Sequence, residues 1–273
     1  MEINKVTKIY FSPTNSTNKV IDAIEEGLGV DRIESINLTN FEVRTNFRLD
    51  ITSKDELLII GVPVYAQRIP QIIKDPLSRL KGSGQPVILI SLCGGIGKGI
   101  ALKQLEEILG KSGFNMLAAG AFIGEHSFSS NMLEIEKNRP DKDDLQLANK
   151  FGKSIIDKLK KMDSIEDFNN LNIKGKLTCM PRIVPQNNAK WFVHNPEIDS
   201  KKCNRCGICA NLCPTNAINR NDFSIDDELC LRCFACVKSC PAGAREITYK
   251  FAWIVKLYLK IKSRRRMLPD IYI

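Results

Sequence analysis

Apolar and polar positions follow two alternating periods along the first 170 residues. Strand-like runs lie at 6–11, 32–38, 56–62, 86–92 and 116–123, and those at 56–62 and 86–92 have the nearly continuous apolar sequence of strands covered on both faces. Amphipathic runs with helical spacing stand between or after them, at 17–28, 71–80, 100–109 and 141–162. This alternation predicts an α/β fold in which helices cover both faces of a doubly wound, five-stranded parallel sheet.

The loops that follow the predicted strands are the candidate binding site, because ligands of such sheets bind outside the carboxyl ends of the strands. The first loop leads directly into a helix and carries hydroxyl groups, at Ser12, Thr14, Ser16 and Thr17, with Asn15 among them. Hydroxyls and free N–H groups at a helix start form a phosphate cradle. The same residues are also typical of a plain helix cap, so this loop alone leaves both interpretations open.

Two further loops complete this candidate site. The loop after the third strand places one aromatic side chain between two prolines, in the order Pro63, Val64, Tyr65 and Ala66. The loop after the fourth strand allows close backbone approach and contains Cys93, Gly94, Gly95 and Gly97. It is neither a P-loop, since Gly99 follows Lys98 where Ser or Thr is needed, nor a dinucleotide fingerprint, which follows the first strand.

Charge and cysteine content divide the chain into two parts. Residues 1–170 carry 22 Lys and Arg against 23 Asp and Glu, whereas residues 171–273 carry 18 against 8. One of the ten cysteines, Cys93, lies in the first part and nine lie in the second. The sequence has no apolar run of membrane-spanning length, and it carries charges where a signal peptide would be apolar. We therefore expect a cytoplasmic protein. Its cysteines are then expected to be metal ligands or redox groups and not disulfides.

Eight of the cysteines form two copies of one pattern, offset by 27 residues. The first copy has Cys203, Cys206, Cys209 and Cys213, followed by Pro214, and the second has Cys230, Cys233, Cys236 and Cys240, followed by Pro241. This C-x2-C-x2-C-x3-C-P spacing is that of bacterial 4Fe-4S ligands. The alternative is zinc on Cys206, Cys209, Cys230 and Cys233, which leaves four cysteines and both prolines unexplained.

The two parts resemble two known families. Residues 5–165 resemble flavodoxins, whose first loop wraps the phosphate of FMN and whose next two loops enclose its ring, with Tyr65 the expected stacking partner. Asn15 replaces a glycine of that first loop, and Asn tolerates left-handed backbone better than other residues do. Gln67 replaces a second glycine often found in these proteins.

The cysteine repeat resembles bacterial-type two-cluster ferredoxins, in which the fourth ligand of each cluster comes from the other run. The resemblance implies one 4Fe-4S cluster on Cys203, Cys206, Cys209 and Cys240, and a second on Cys213, Cys230, Cys233 and Cys236. The predicted domains are therefore 1–168 (flavodoxin-like, FMN), 169–199 (connector), 200–249 (small α+β ferredoxin domain) and 250–273 (basic amphipathic tail). The connector holds Trp191 and several prolines, so we expect it to be ordered.

The tail has Lys256, Lys260 and Arg264 on one helical face and apolar residues on another. Docking on the chain's own first domain, an acidic protein partner and peripheral contact with an anionic membrane are the competing interpretations. Basic charge alone is no nucleic-acid motif, so no nucleic-acid partner is expected.

The chain as a whole resembles flavodoxin–ferredoxin fusion proteins of anaerobes, which implies an electron-transfer protein that relays low-potential electrons between FMN, two 4Fe-4S clusters and redox partner proteins. One alternative is a flavin-dependent reductase of a small molecule fed by its own clusters. Another is an iron–sulfur carrier with a flavin-free scaffold domain. No catalytic acid, base or nucleophile is indicated, and a homo-oligomer is compatible with the sequence.

Overall fold

A computed structural model describes residues 2–162, 171–178, 182, 189–262 and 266–273. The strands of these residues are β1 Lys5–Tyr10, β2 Ile33–Asn37, β3 Leu49–Asp50, β4 Glu56–Pro63, β5 Leu80–Lys81, β6 Pro86–Cys93, β7 Asn115–Ile123 and β8 Asp270–Tyr272. The helices are α1 Ser16–Leu28, α2 Phe41–Thr45, α3 Lys74–Ser78, α4 Ala101–Lys111, α5 Lys142–Lys160, α6 Ala189–Phe192, α7 Ile208–Asn211, α8 Ala235–Lys238 and α9 Ala252–Lys262. None of these helices is long and apolar enough to cross a lipid bilayer.

The main sheet has the strand order β2-β1-β4-β6-β7-β8. Its first five strands pair in parallel, and their order corresponds to the 2-1-3-4-5 arrangement of flavodoxin-like sheets. The predicted doubly wound, five-stranded parallel sheet is therefore confirmed. The order reverses direction between β1 and β4, so the loops after these two strands lie at the switch point, where such sheets bind ligands.

The sixth strand comes from the far end of the chain. β8 pairs antiparallel with the edge strand β7, with Gly120 opposite Ile271. The sequence analysis predicted only an amphipathic tail here, because a three-residue strand at the chain end carries no periodicity to detect. By pairing with β7, the tail covers an edge that would otherwise expose unpaired backbone groups.

Two apolar layers cover the faces of the sheet. α1 and α5 pack together on one face, over Val6, Ile59, Ile90 and Phe122. α4 lies on the other face, over Ile9, Ile60 and Leu89. Because β4 and β6 are buried on both faces, they have nearly continuous apolar sequences, as predicted.

One predicted helix is shorter than expected. Residues 71–80 form a 3₁₀ turn at Gln71–Ile73 and then α3, and the segment ends in β5. Leu80 pairs with Leu49 in a second, two-stranded sheet. The apolar spacing of this segment reflects burial of Ile73, Leu77 and Leu80 in one core and does not require a single helix.

The cysteine-rich region is a small domain with internal symmetry. The isolated bridges Ile198–Arg245 and Ile218–Ile225 are related by the same 27-residue offset as the cysteines. So are the short helices α7 and α8. The sequence repeat is thus a structural repeat, in which each half contributes one cysteine run and one short helix.

Part of the predicted connector lies outside the described residues, including Cys179, Pro181 and Pro185. Within the described part, Trp191 and Phe192 belong to α6, and Val193 forms a bridge with Tyr249. Residues 171–178 pack against the first domain, where Ile173 enters its core.

Candidate functional site

The loop after β1 forms a helix N-terminus with left-handed backbone. Asn15 has φ 61° and ψ 0° and precedes α1 without capping it through its side chain. The hydroxyl oxygens of Thr14 and Ser16 lie 3.5 Å apart, both partly exposed. Since the first N–H groups of a helix have no intrahelical acceptor, the loop presents free donors and two hydroxyls to the same point.

Two hydroxyl groups hold this loop in shape instead of facing outward. The Ser12 hydroxyl accepts a hydrogen bond from the Asn18 N–H at 3.1 Å. The Thr39 hydroxyl accepts one from the Ser12 N–H at 2.7 Å. Thr17 is buried, and its methyl group faces Gly61 on β4. Of the five predicted cradle residues, Thr14, Asn15 and Ser16 are therefore those available to a ligand.

The loop after β4 is a tight turn centred on positive φ angles. Tyr65 and Arg68 exchange backbone hydrogen bonds of 2.8 and 2.9 Å, and Ala66 and Gln67 between them have φ angles of 47° and 64°. Pro63 and Val64 lead into the turn, and the Val64 N–H donates to the Leu92 carbonyl at the end of β6. The turn projects Tyr65 from the carboxyl edge of the sheet.

Gln67 is buried in the contact between this turn and the glycine loop. Its amide exchanges two hydrogen bonds with Thr178 of the connector, at 3.0 and 2.9 Å. Its side chain also lies within 3.0 Å of the position that a Cβ on Gly97 would occupy, and its backbone faces Gly99. Gln67 thus fills the space beside Gly97 and Gly99 and ties the connector to the loop after β4.

The glycine loop after β6 packs closely against the segment that contains His126 and Glu136. A Cβ on Gly94 would collide with His126, and one on Gly95 would collide with Glu136. Burial raises the pKa of the Cys93 thiol to about 11, so the thiol stays protonated at neutral pH. Burial also lowers the pKa of His126 to about 4, which keeps its ring neutral, and its Nδ1 accepts a hydrogen bond from the Phe128 N–H at 3.0 Å.

The two cations beside these loops differ in their bonding. Lys98 forms an ion pair with Asp270 at 2.6 Å and donates to the Leu268 carbonyl, so it fastens the C-terminal strand to the glycine loop. In contrast, Nη1 of Arg68 is buried and has no hydrogen-bond partner among the described residues. A buried guanidinium donor without a partner fits an acceptor from a ligand at this edge.

Four cysteines from both runs line one cavity. Cys203, Cys206 and Cys209 of the first run share it with Cys240 of the second. Its remaining walls include Phe223, Pro241 and Arg245. The chain therefore brings one cysteine of the second run to the three of the first run, as the resemblance implied for the first cluster.

The other four cysteines also lie together. Burial raises the pKa of the Cys233 thiol to about 12, and the nearby thiols of Cys213 and Cys230 raise it further. Burial likewise raises the pKa of Cys236, with added effects from Cys233, Cys230 and Cys213. Cys213 of the first run thus lies within electrostatic reach of three cysteines of the second run.

Backbone N–H groups point at the sulfur atoms in both halves. The Ala217 N–H donates to the Cys213 Sγ, and the Ala244 N–H donates to the Cys240 Sγ, each at 3.3 Å. Arg245 Nη2 lies 3.9 Å from the Cys209 Sγ. Such donors stabilise thiolate charge and are one determinant of cluster potential.

A site for a single metal ion, such as zinc, needs its ligands grouped around one point. Among the residues that the structure describes, no three His, Cys, Asp or Glu side chains are grouped closely enough to hold one metal ion. A structural zinc site needs four ligands at about 2.0–2.3 Å from the metal. Cys203, Cys206, Cys209 and Cys240 instead line one cavity.

The second group of cysteines lies against the carboxyl edge of the sheet. Burial raises the pKa of Tyr65, and an electrostatic effect of Cys233 raises it further. Leu231 packs against the apolar core of the first domain. The guanidinium of Arg44, on α2, donates to the Leu38 carbonyl at 2.9 Å and also to the Pro214 carbonyl beside Cys213.

Further contacts fix the same face of the small domain. The Tyr249 hydroxyl donates to the Phe128 carbonyl at 2.5 Å, and the rings of Phe128 and Phe234 meet edge to face at 5.7 Å. Lys238 forms an ion pair with Glu125. With Leu231 and Arg44, these contacts make the interface between the two domains both apolar and polar.

Exposure differs between the two groups of cysteines. Cys206 is exposed, whereas Cys233 and Cys236 are buried. The first group therefore contains the most exposed of the eight cysteines, and the second contains the two buried ones.

Sequence reasoning missed several residues of this site. Arg44 lies in a predicted polar stretch, and neither its spacing nor its neighbours signal a contact 170 residues away. Leu231 and Phe234 occupy positions that the cysteine pattern leaves unspecified, where their large apolar side chains were the only signal.

The cysteine-rich region matches two family models. Residues 196–219 match a 4Fe-4S binding domain, and residues 223–244 match a second 4Fe-4S binding domain. The chain joins a flavodoxin-like α/β domain to a 4Fe-4S binding domain. No curated protein matches it. The predicted fusion and the predicted 4Fe-4S character of the repeat are thereby confirmed.

Solved structures similar to the chain include flavodoxins and a larger oxidoreductase. A flavodoxin from the domain Archaea is 14% identical over 57% of this chain and 99% of that one, with a TM-score of 0.38. A Fusobacterium nucleatum flavodoxin bound to flavin mononucleotide is 22% identical over 57% and 97%, with a TM-score of 0.38. Rubredoxin oxygen:oxidoreductase of the anaerobe Desulfovibrio gigas is 18% identical over 59% and 37%, with a TM-score of 0.40. The fold assignment rests on the strand order and pairing described above and not on these likenesses.

Proposed function

We propose that this protein is an internal electron relay that passes low-potential electrons between two 4Fe-4S clusters, an FMN and redox partner proteins. The observation that carries the proposal is the packing of Leu231, two residues before Cys233, on the same apolar core of the first domain that Tyr65 packs against. Thiolate-bound clusters transfer single electrons, whereas a flavin takes one or two. A chain that holds both kinds of redox site suits a protein that converts between one-electron and two-electron transfer.

The proposed ligand sets are crossed between the two cysteine runs. One cluster is assigned to Cys203, Cys206, Cys209 and Cys240, which line one cavity. The other is assigned to Cys213, Cys230, Cys233 and Cys236, whose thiols influence one another electrostatically. The two 4Fe-4S domain matches and the N–H donors aimed at Cys213 and Cys240 support both assignments.

The residues of the first domain fit an FMN. Thr14, Ser16 and the left-handed Asn15 suit the phosphate, because they surround the free N–H groups at the start of α1. Tyr65 suits the ring, and the unpartnered Nη1 of Arg68 suits a carbonyl or an anionic ring nitrogen. When bound, the flavin supplies a two-electron site, and the chain's own residues hold and orient it.

The exposure of the cysteines suggests the order of electron flow. Cys206 is accessible to an external protein, so its cluster is proposed as the port for redox partners. The cluster of Cys233 is proposed to connect this port to the flavin, because its loop packs on the sheet edge. The reducing cytoplasm is the proposed compartment, since eight of the cysteines are assigned to clusters and cysteines used as metal ligands are typical of reducing compartments.

Removing the exposed hydroxyls of the phosphate cradle is expected to weaken FMN binding. The double variant Thr14→Ala with Ser16→Ala removes two hydroxyl donors from the proposed phosphate site. Each hydrogen bond lost to the charged phosphate is worth about 1.5–3 kcal/mol. FMN affinity, measured by flavin fluorescence titration of protein stripped of flavin and reloaded, should therefore fall at least about tenfold.

The matched control is Ser154→Ala, which removes an exposed hydroxyl on α5 that bonds only to the Lys150 carbonyl. It should leave FMN affinity unchanged. Equal affinities for the double variant and the unchanged protein would show that the phosphate does not bind here. Absence of any FMN binding by the unchanged protein would favour a flavin-free scaffold.

A further inference from the structure

Helix α9 has apolar residues on two sides, and the protein covers only one of them. Val255 and Leu259 are 6% and 4% exposed and pack into a cluster that includes Phe234 and Tyr249. A second set faces solvent at helical spacing of four residues, with Trp253 72%, Leu257 53% and Ile261 50% exposed. The helix is thus held on the domain by one face while an apolar stripe on another face points outward.

This stripe continues onto neighbouring segments. Phe251, just before the helix, is exposed, and so is Ile254. Trp191 of α6 is also exposed, and α6 is joined to the start of α9 by a hydrogen bond from the Lys250 N–H to the Phe192 carbonyl, 2.8 Å long. Both tryptophans of the chain are therefore exposed, on segments that this hydrogen bond joins.

The charges of this segment are positive. Residues 250–262 contain four lysines and no acidic residue. Lys256 and Lys260 occupy the positions directly before Leu257 and Ile261, so at 100° per residue they border the apolar stripe. Asp227 lies close enough to Lys250 to interact with it, which leaves Lys256 and Lys260 to carry the charge argument.

We propose that α9 is a peripheral membrane anchor whose exposed face inserts into the surface of an anionic lipid bilayer. A helix of 11 residues is about 16 Å long, which suits an orientation in the plane of the interface. Tryptophans are favoured at that depth, and lysines beside them attract anionic headgroups. A convex stripe of large apolar residues bordered by lysines favours a deformable lipid surface as its occupant over an acidic protein.

Binding of the holoprotein to lipid vesicles tests the proposal directly. We expect it to sediment with phosphatidylcholine vesicles that contain phosphatidylglycerol, and much less with phosphatidylcholine alone. High salt should weaken the binding, because headgroup attraction is screened. Because both tryptophans lie on the proposed surface, their fluorescence should shift to shorter wavelength and become protected from an aqueous quencher.

Two pairs of substitutions separate the apolar and the electrostatic contributions. Trp253→Ser with Leu257→Ser should lower the vesicle partition coefficient at least about tenfold, since both side chains bury apolar area in the interface. Lys256→Gln with Lys260→Gln should lower it about thirtyfold, because each lysine contributes about a factor of five. All four positions lie on the helix, and the two apolar side chains are exposed, so the iron content of the purified variants should stay unchanged.

The matched controls are Met132→Ser, which removes an exposed apolar side chain elsewhere, and Lys103→Gln with Lys153→Gln, which removes two exposed lysines from α4 and α5. They should bind vesicles as the unchanged protein does. The proposal is overturned if the unchanged protein ignores anionic vesicles at low salt, or if all variants bind equally. It is also overturned if Trp253→Ser with Leu257→Ser leaves vesicle binding unchanged and abolishes self-association in light scattering, because a second copy of the chain would then be the occupant. Loss of binding to an acidic redox protein alone would overturn it in the same way, with that protein as the occupant.

Discussion

Cys240→Ala is expected to destroy the cluster of Cys203, Cys206 and Cys209 while the other cluster survives. Cys240 lines the cavity of the first cysteine run, although it stands only four residues from Cys236 in the second. A 4Fe-4S cluster needs four thiolates, so the loss of one ligand should remove or degrade that cluster. The anaerobically purified variant should keep about half of the iron and show the paramagnetic resonance signal of one reduced cluster.

Cys213→Ala is the matched variant, because Cys213 holds the equivalent position 27 residues earlier. It should remove the other signal, and the two residual spectra together should reproduce that of the unchanged protein. Cys93→Ala, which removes a buried thiol at the end of β6, should leave the iron content unchanged. Loss of the same cluster in Cys240→Ala as in Cys233→Ala would show that the ligands are not crossed.

The central strands of the sheet were predicted well because strands buried on both faces have continuous apolar sequences. β4 and β6 are covered on both faces, and their unbroken apolar runs identify them without reference to the rest of the chain. The cysteine repeat was equally readable, since three of the ligands proposed for each cluster follow one another at every third residue. Local constraints of this kind are visible in a local pattern.

The contacts between the domains could not be predicted in the same way. Arg44 bonds to the Pro214 carbonyl, and Lys98 to Asp270, across at least 170 residues of chain. No periodicity relates such positions, because each side chain satisfies an acceptor that only the folded chain brings near. β8 was missed for the same reason, as its partner β7 ends about 150 residues earlier.

The candidate flavin site falls between these two cases. The loops after β1, β4 and β6 were located from the sequence because parallel strands bring their carboxyl ends to one edge. Which of their residues remain free was not predictable. Thr17 is buried under the sheet, and Gln67 is engaged with Thr178 of the connector. Arg68 emerges as a donor only because the structure leaves its buried Nη1 without a partner in the described residues.

Electrons entering at the exposed cluster are expected to reach the flavin within a single chain. Leu231, two residues before Cys233, packs on the same core as Tyr65, and Arg44 and Tyr249 also fasten the domains, so no large motion is needed to bring the two redox sites together. Rapid mixing of anaerobic holoprotein with a reduced low-potential ferredoxin can follow both chromophores by absorbance. Cluster and flavin should equilibrate faster than the protein turns over any small oxidant.

A variant in the proposed port distinguishes a relay from two independent domains. Cys206→Ala should disrupt the exposed cluster and slow flavin reduction at least about tenfold, because the partner then lacks its point of entry. The flavin of the control Ser154→Ala, which removes an exposed hydroxyl on α5 outside all three loops, should be reduced at the normal rate. If the flavin stays oxidised in the unchanged protein while both clusters are reduced, at a potential where the bound flavin accepts electrons, the domains do not form a relay. Steady turnover of a small oxidant that outpaces this internal equilibration would instead identify the protein as a flavin-dependent reductase supplied by its own clusters.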